Sequence, residues 1–336
     1  MKKFLSFVLA VTLLAGLTAF ASADAAKTTP SIAIVVAGSL GDRSFYDSAN
    51  EGLTQLAADF GTVTKVIECK EDASMYENGL FEAAKECDVI AAVGWQFWDA
   101  LAADDGILTD PAFADKKFLF IDNALEEIPE NLMCITYAQN EGSYLAGYIA
   151  GKLSKSGIVG AVGGEDADTI NDFLVGYEAG AKLANPDAQV QFQYANTYED
   201  PAKGKECALA LYSGGCDVVF AVAGKTGEGV FEAAAEFGKG VLAIGVDGDQ
   251  KYINPDIIVC SMVKKVGKSI YDVVSDPDTY FKGGSVWNAD MSTGYIDVVY
   301  GTEDMPQQVT DEIKAEVEEI KAKIIAGEIE VPTAFK

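Results

Sequence analysis

Short apolar runs alternate with amphipathic stretches along most of the chain. SIAIVVAG, VTKVIE, CDVIAAVG, KKFLFID and NLMCITY are bounded by glycine, aspartate or other polar residues, as buried strands are where they leave a sheet. Between them, SANEGLTQLAADFG and SMYENGLFEAAKE carry apolar residues at helical spacing. The alternation predicts βαβ units, and so a parallel sheet with helices on both faces. An apolar helix, EGSYLAGYIAGKLSKSG, follows, and then the pattern restarts. GIVGAVGG echoes IAIVVAG, GYEAGAKLANP echoes NEGLTQLAADFG, CDVVFAVAG repeats CDVIAAVG, and KGVLAIGVDGD resembles KKFLFIDNA. These ordered echoes predict two similarly folded α/β halves, the second ending near IIVCSMVKK. The remainder differs: DPDTYFKGGSVWNADMSTGYIDVVY is rich in aromatic and turn residues. A charged helix follows, with Ile313, Val317, Ile320 and Ile324 on one packing face.

The first residues bear on compartment. Lys2 and Lys3 precede an apolar run from Phe4 that closes on Ala21 and Ala23, the layout of a signal peptide cleaved after Ala23. No cysteine stands near that point to accept a lipid, so the expectation is a free periplasmic protein. What remains is longer than one hydrophobic core usually organises, which predicts two domains.

Charge and composition remove several classes of function. The formal net charge is −27, and losing the two leader lysines takes it to −29. Such a surface repels nucleic acid and anionic lipid, which are held by Lys and Arg. Arg43 is the only arginine, so no multi-arginine clamp on an anion can be built. Histidine is absent, which excludes Ser-His-Asp and Cys-His nucleophiles within this chain. Neither GEDAD nor DGD continues as a calcium loop, and no cysteine pair has CxxC spacing; no metal and no cofactor are expected. Six cysteines in an exported chain allow disulfides, but Cys87, Cys216 and Cys260 sit at strand edges, where buried thiols are the preferred reading. Cys69, followed by charge, is the one expected at the surface.

FAVAGKTGEG contains the Gly-Lys-Thr of a phosphate loop, but Val219 stands where that motif needs its first glycine. The stretch therefore reads as a strand-loop-helix corner that approaches another ligand. In open parallel sheets ligands bind beyond the carboxyl ends of the strands. The loops at those ends carry Phe45, Tyr46, Trp95, Phe97, Trp98 and Phe173 with isolated Asp42, Asp122 and Asp247. Aromatic faces stack on a flat ligand, and single carboxylates accept from ring N–H groups or sugar hydroxyls. Asp122 and Asp247 have a second reading as helix or turn caps.

GDRSFYDSANEGL, EGSYLAGYIAG, GYEAGAKLANP, AGKTGEGV, GVDGDQ and AGEIEVP, in this order from Ser31 to Pro332, resemble the basic membrane protein family of ABC-transporter binding proteins. Its best-known members are purine nucleoside receptors of the PnrA type. The resemblance implies a type I periplasmic-binding-protein fold: two doubly wound domains, three crossovers and an interdomain cleft. It implies a first domain of 27–140 with 265–336 and a second of 141–264. The implied pocket residues are Asp42, Phe45, Asp122, Phe173, Gly224, Asp247 and Lys264, with Phe45 and Phe173 on the two faces of a base and Asp247 and Lys264 on ribose. Three positions depart from the family pattern: Tyr46 replaces an asparagine, Trp95 a phenylalanine and Lys225 a small residue. Tyr46 adds flat surface, so riboflavin or another flat aromatic solute is the alternative ligand. The expected partners are an ABC permease with a separate ATPase, and the expected state is a monomer. A secreted carboxylate-dependent nucleoside hydrolase and a sensor for a membrane signalling protein are the competing functions.

Overall fold

In the computed structural model, which describes residues 29–238 and 240–335, strands and helices alternate as the apolar runs predict. The expected signal peptide lies outside the described residues. The first half holds β1 (Ile32–Val36), α1 (Phe45–Phe60), β2 (Thr64–Glu68), α2 (Tyr76–Glu86), β3 (Val89–Val93), the single turn α3 (Trp98–Leu101), β4 (Lys117–Ile121) and β5 (Leu132–Tyr137). α4 (Gln139–Leu153) leads into β6 (Ile158–Gly163), α5 (Asp168–Ala184), β7 (Gln189–Tyr194), α6 (Pro201–Ser213), β8 (Val218–Val222), α7 (Glu228–Phe237), β9 (Leu242–Asp247) and β10 (Ile258–Lys264). The chain ends with α8 (Val266–Ser275), α9 (Pro277–Tyr280), β11 (Ser285–Ala289), β12 (Ile296–Val299) and α10 (Asp311–Ile325).

Two six-stranded sheets result, ordered β11-β5-β4-β3-β1-β2 and β12-β10-β9-β8-β6-β7. Every residue of β1, β3 and β8 is buried, because helices cover both faces of the central strands. The edge strands β2 and β7 are half-exposed and correspondingly mixed in sequence. The chain passes between the sheets three times, and the passing segments are bonded to one another. Ala138 N–H donates to Ala289 O, and Lys265 N–H donates to Tyr295 O.

The sequence reading returns all of 265–336 to the first domain, whereas the sheets divide that segment. α8 packs on α1 and β11 extends the first sheet, but β12 pairs antiparallel with β10 in the second. The reason is burial: Ile296 and Val298 cover the flank of β10, and α10 lays Ile313, Val317, Ile320 and Ile324 inward with its stripe towards α4. The final residues are then stitched over the starts of α4 and α5. Asn140 donates to the carbonyls of Val331 and Pro332, while Asp172 accepts from the Thr333 hydroxyl and the Ala334 N–H.

α4 and α5 meet with their backbones almost in contact. A Cβ on Gly147 would lie 2.0 Å from Tyr177 O, and one on Gly180 would lie 1.9 Å from Tyr144 O. Gly147, Gly151, Gly176 and Gly180 of EGSYLAGYIAG and GYEAGAKLANP are thus explained by helix packing, whereas Gly142 makes room for Met262 and Ile296. All six cysteines are free. Cys69, expected at the surface, is fully buried beneath Gly79 of α2, and burial pushes its thiol up to about 11. Cys207 is the half-buried one.

Candidate functional site

The carboxyl ends of the two sheets face each other across a cavity of about 480 Å³, its opening included. Most of that is space at the opening; the enclosed part measures only about 50 Å³, so the two walls stand close together. The equivalent strands of the two halves contribute equivalent features. β3 exits through Gly94 at φ 125° and the β8 exit turns at Gly224 at φ 53°. β4 exits through Asp122 at φ 79° and β9 ends on Asp247 at φ 64°. Left-handed backbone at a non-glycine residue is costly, and such residues cluster at functional sites. Here the turned backbone accompanies two carboxylates brought to the same cavity.

Nine of the ten residues singled out from the sequence line this cavity: Asp42, Phe45, Tyr46, Trp95, Asp122, Phe173, Gly224, Asp247 and Lys264. Lys225 does not. The 3₁₀ turn Gly224–Gly227 directs its side chain outward, where its ammonium lies 3.6 Å from Glu199. The same turn explains Gly-Lys-Thr without a phosphate. Val219 is buried strand, and Thr226 is buried with its hydroxyl accepting from Asp200 N–H at the start of α6. Of the other two aromatic candidates, Phe97 is fully buried against Tyr76 and Trp98 is exposed at the surface. Sequence reasoning missed Tyr198, Gln96 and Ile170, which also line the cavity. Tyr198 follows β7, whose alternation QVQFQY is the period-two signal that would have located it.

Lys264 is the electrostatic centre. Its ammonium donates to Asp122 Oδ1 at 2.8 Å across the cleft, and lies 4.7 Å from the Phe45 ring centroid and 4.9 Å from that of Phe173. It is therefore held by both walls at once. Asp247 accepts from the Ser44 hydroxyl at Oδ2 with a distance of 2.6 Å, while its Oδ1 is buried and has no partner. Asp42 is engaged locally: it accepts the N–H groups of Ser44, Tyr46 and Asp47 and so ties down the first turn of α1. Gly38 lets Tyr46 approach, since a Cβ there would stand 2.6 Å from the ring.

Burial pushes the Asp122 and Asp247 carboxyls above the ordinary carboxylate range, and the Lys264 ammonium pulls each back. Burial likewise pushes Asp42 up to about 7, against its three backbone donors. These groups bind protons more tightly folded than unfolded, so their contribution to stability is largest below the unfolded pKa and falls as pH rises through the folded one. Thermal melts between about pH 4 and pH 7 are therefore expected to fall with rising pH. Asp247→Asn, which removes one of these titrating groups, is expected to flatten that slope; an unaltered slope would exclude Asp247 as a contributor.

Two lobes, three connecting segments and a buried polar-aromatic cleft between them are the frame of a two-lobed small-molecule-binding protein. The family model described as "ABC transporter substrate-binding protein PnrA-like" matches residues 29–334, and the chain belongs to that family. Basic membrane protein A of Borreliella afzelii is 33% identical over 308 residues, covering 90% of this chain and 91% of that one. Basic membrane protein B of Borreliella burgdorferi is 34% identical over 315 residues, covering 90% and 87%. A solved ABC transporter solute-binding protein from Aeropyrum pernix matches with a TM-score of 0.77 at 26% identity, covering 90% of this chain and 93% of that one. A second, from Conexibacter woesei, has a TM-score of 0.70 at 23% identity, covering 91% and 99%, and supports the fold. The fold is thus periplasmic-binding-protein-like, and the chain is a substrate-binding receptor of an ABC transporter, not an enzyme. Among the described residues no helix is long and apolar enough to cross a membrane.

Proposed function

We propose that the protein captures a neutral purine nucleoside between its lobes and delivers it, as a periplasmic monomer, to a permease driven by a separate ATPase. The observation that carries this reading is the unpartnered, fully buried Asp247 Oδ1 at one end of an aromatic cleft. A buried acceptor without a donor is costly, so a ligand donor there contributes more than an ordinary hydrogen bond. Lys264 spends one N–H on Asp122, which leaves N–H donors beside that acceptor for neighbouring sugar hydroxyls. Phe45 and Phe173 offer flat faces from opposite lobes, and Trp95 and Tyr198 extend the aromatic wall. Asp42, Asp122 and Asp247 stand against a single lysine, which disfavours the phosphates of a nucleotide.

Ligand released from the purified protein should be a nucleoside by mass spectrometry, and calorimetry against nucleosides, free bases and riboflavin should rank a purine nucleoside first. If riboflavin ranks first, the ligand is a larger flat solute. If nothing in the panel binds more tightly than about 1 mM, the ligand class is wrong. Asp247→Ala is expected to weaken nucleoside binding by about 1–3 kcal/mol, the cost of leaving a buried hydroxyl unpaired. Unchanged affinity would remove Asp247 from the site.

A further inference from the structure

The mouth of the cleft is spanned by two carboxylates that point in opposite directions. Glu71 follows β2 in the first lobe and reaches the second: Oε1 accepts the Tyr198 N–H at 2.7 Å, and Oε2 accepts the Thr197 hydroxyl at 2.9 Å. Glu199, two residues beyond Thr197, reaches back, and its Oε1 accepts the Ser39 N–H of the loop after β1 at 2.7 Å. The residue between them, Tyr198, forms part of the cavity wall. One tripeptide therefore alternates rim contact, wall, rim contact.

Both loops are shaped for this. Lys70 and Glu71 are consecutive left-handed residues, at φ 56° and 58°, held by N–H bonds to the carbonyls of Gly38 and Ala37. Neither is a glycine, and the bend they make aims the Glu71 carboxylate across the gap. Gly38 admits Glu199, since a Cβ there would lie 2.6 Å from Oε1. Gly164 admits Tyr198, since a Cβ there would lie 2.1 Å from the ring. Lys225, which the cleft itself does not use, places its ammonium 3.6 Å from the other Glu199 oxygen.

We propose that Glu71 and Glu199 form a reciprocal latch that sets the closed fraction of the receptor and holds Tyr198 as a wall of the cleft, with Lys225 acting as a positioning residue through Glu199. The latch differs from the buried contacts Lys264–Asp122 and Ser44–Asp247, because Glu71 is exposed and Glu199 only partly buried. Water can replace these bonds when the lobes part, so the latch closes without locking.

This inference rests on the reading of the molecule as a two-lobed receptor that opens and closes, but not on which solute it carries. Its test is the interlobe distance of the ligand-free full chain, measured between spin labels on one exposed site per lobe. E71A/E199A is expected to shift the distribution to longer distances, and E71Q/E199Q, which keeps one acceptor oxygen at each position for the Tyr198 and Ser39 N–H groups, to restore part of the parent distribution. In the same variants the dissociation rate of inosine is expected to rise about tenfold for the alanine pair, as closure contributes less to retention. Alanine variants with the parent distance distribution would overturn the latch, and so would glutamine variants as open as the alanine ones. Failure of inosine to bind the parent would count against the nucleoside reading and leave the distance test standing.

Discussion

Lys264→Met is expected to destabilise the protein by about 3–5 kcal/mol near pH 8 and to remove measurable ligand binding, since it strands a buried carboxylate. The side chain is 2% exposed and is the only cation among the described residues lining the cleft, where it faces both Asp122 and Asp247. Methionine fills the volume but leaves two buried acids without a counter-charge. The deficit should shrink towards pH 5, because carboxyls whose folded pKa lies above the unfolded value favour the fold once protonated. Adding Asp122→Asn should recover much of the stability without restoring binding, since neutralising both partners of a buried pair costs far less than breaking it. Urea unfolding at the two pH values decides the matter. A loss below about 1 kcal/mol at pH 8 would mean that the pair is solvated, contrary to its burial.

The second large effect is expected from Gly180→Val in α5. The added side chain begins 1.9 Å from the Tyr144 carbonyl and 2.9 Å from the Tyr148 nitrogen, both backbone atoms of α4. No rotamer relieves a clash with backbone, so the helices must separate along their length. Overpacking usually costs 1–3 kcal/mol, and a forced displacement of backbone belongs at or beyond the upper end, about 3–5 kcal/mol. The melting temperature should fall on the order of 10 °C. Gly61→Ala tests the alternative that any glycine in this chain is sensitive: nothing lies within 4 Å of a Cβ there, and only its φ of 66° opposes the change. A Gly180→Val protein that melts with the parent would contradict the close approach of α4 and α5.

Much of this architecture is legible in the sequence because buried parallel strands are written as unbroken apolar runs. Every strand with that signature, from IAIVV to IVCSMVK, forms where it is expected. β7, β11 and β12 were harder for the opposite reason. They lie at sheet edges, and edge strands alternate apolar with polar residues that a loop also tolerates. The site is legible to the degree that it lies at the exits of the readable strands. Asp122 and Asp247 occupy equivalent exits of the two halves, so the internal echo of KKFLFID in KGVLAIGVD marks both. Tyr198 was missed with β7. Lys225 was misplaced because the direction of a side chain leaving a 3₁₀ turn depends on Gly224 adopting φ 53°, which glycine permits but does not dictate. The latch was not legible at all. It joins residues 126, 127 and 160 positions apart through loops whose geometry is set only once both lobes are in place.

The stitches that bind Thr333 and Ala334 to Asp172 bear on the order in which the molecule can be completed. Asp172 precedes Phe173 in α5, and the same terminal segment also engages Asn140 where the chain enters the second lobe. During synthesis α4 and α5 emerge long before the residues that fasten their first turns. A nascent chain can therefore build both sheets up to β10 and still lack the final support of the wall that carries Phe173. Cutting the chain before Thr333 would therefore leave the strands of both sheets in place but loosen the wall that carries Phe173.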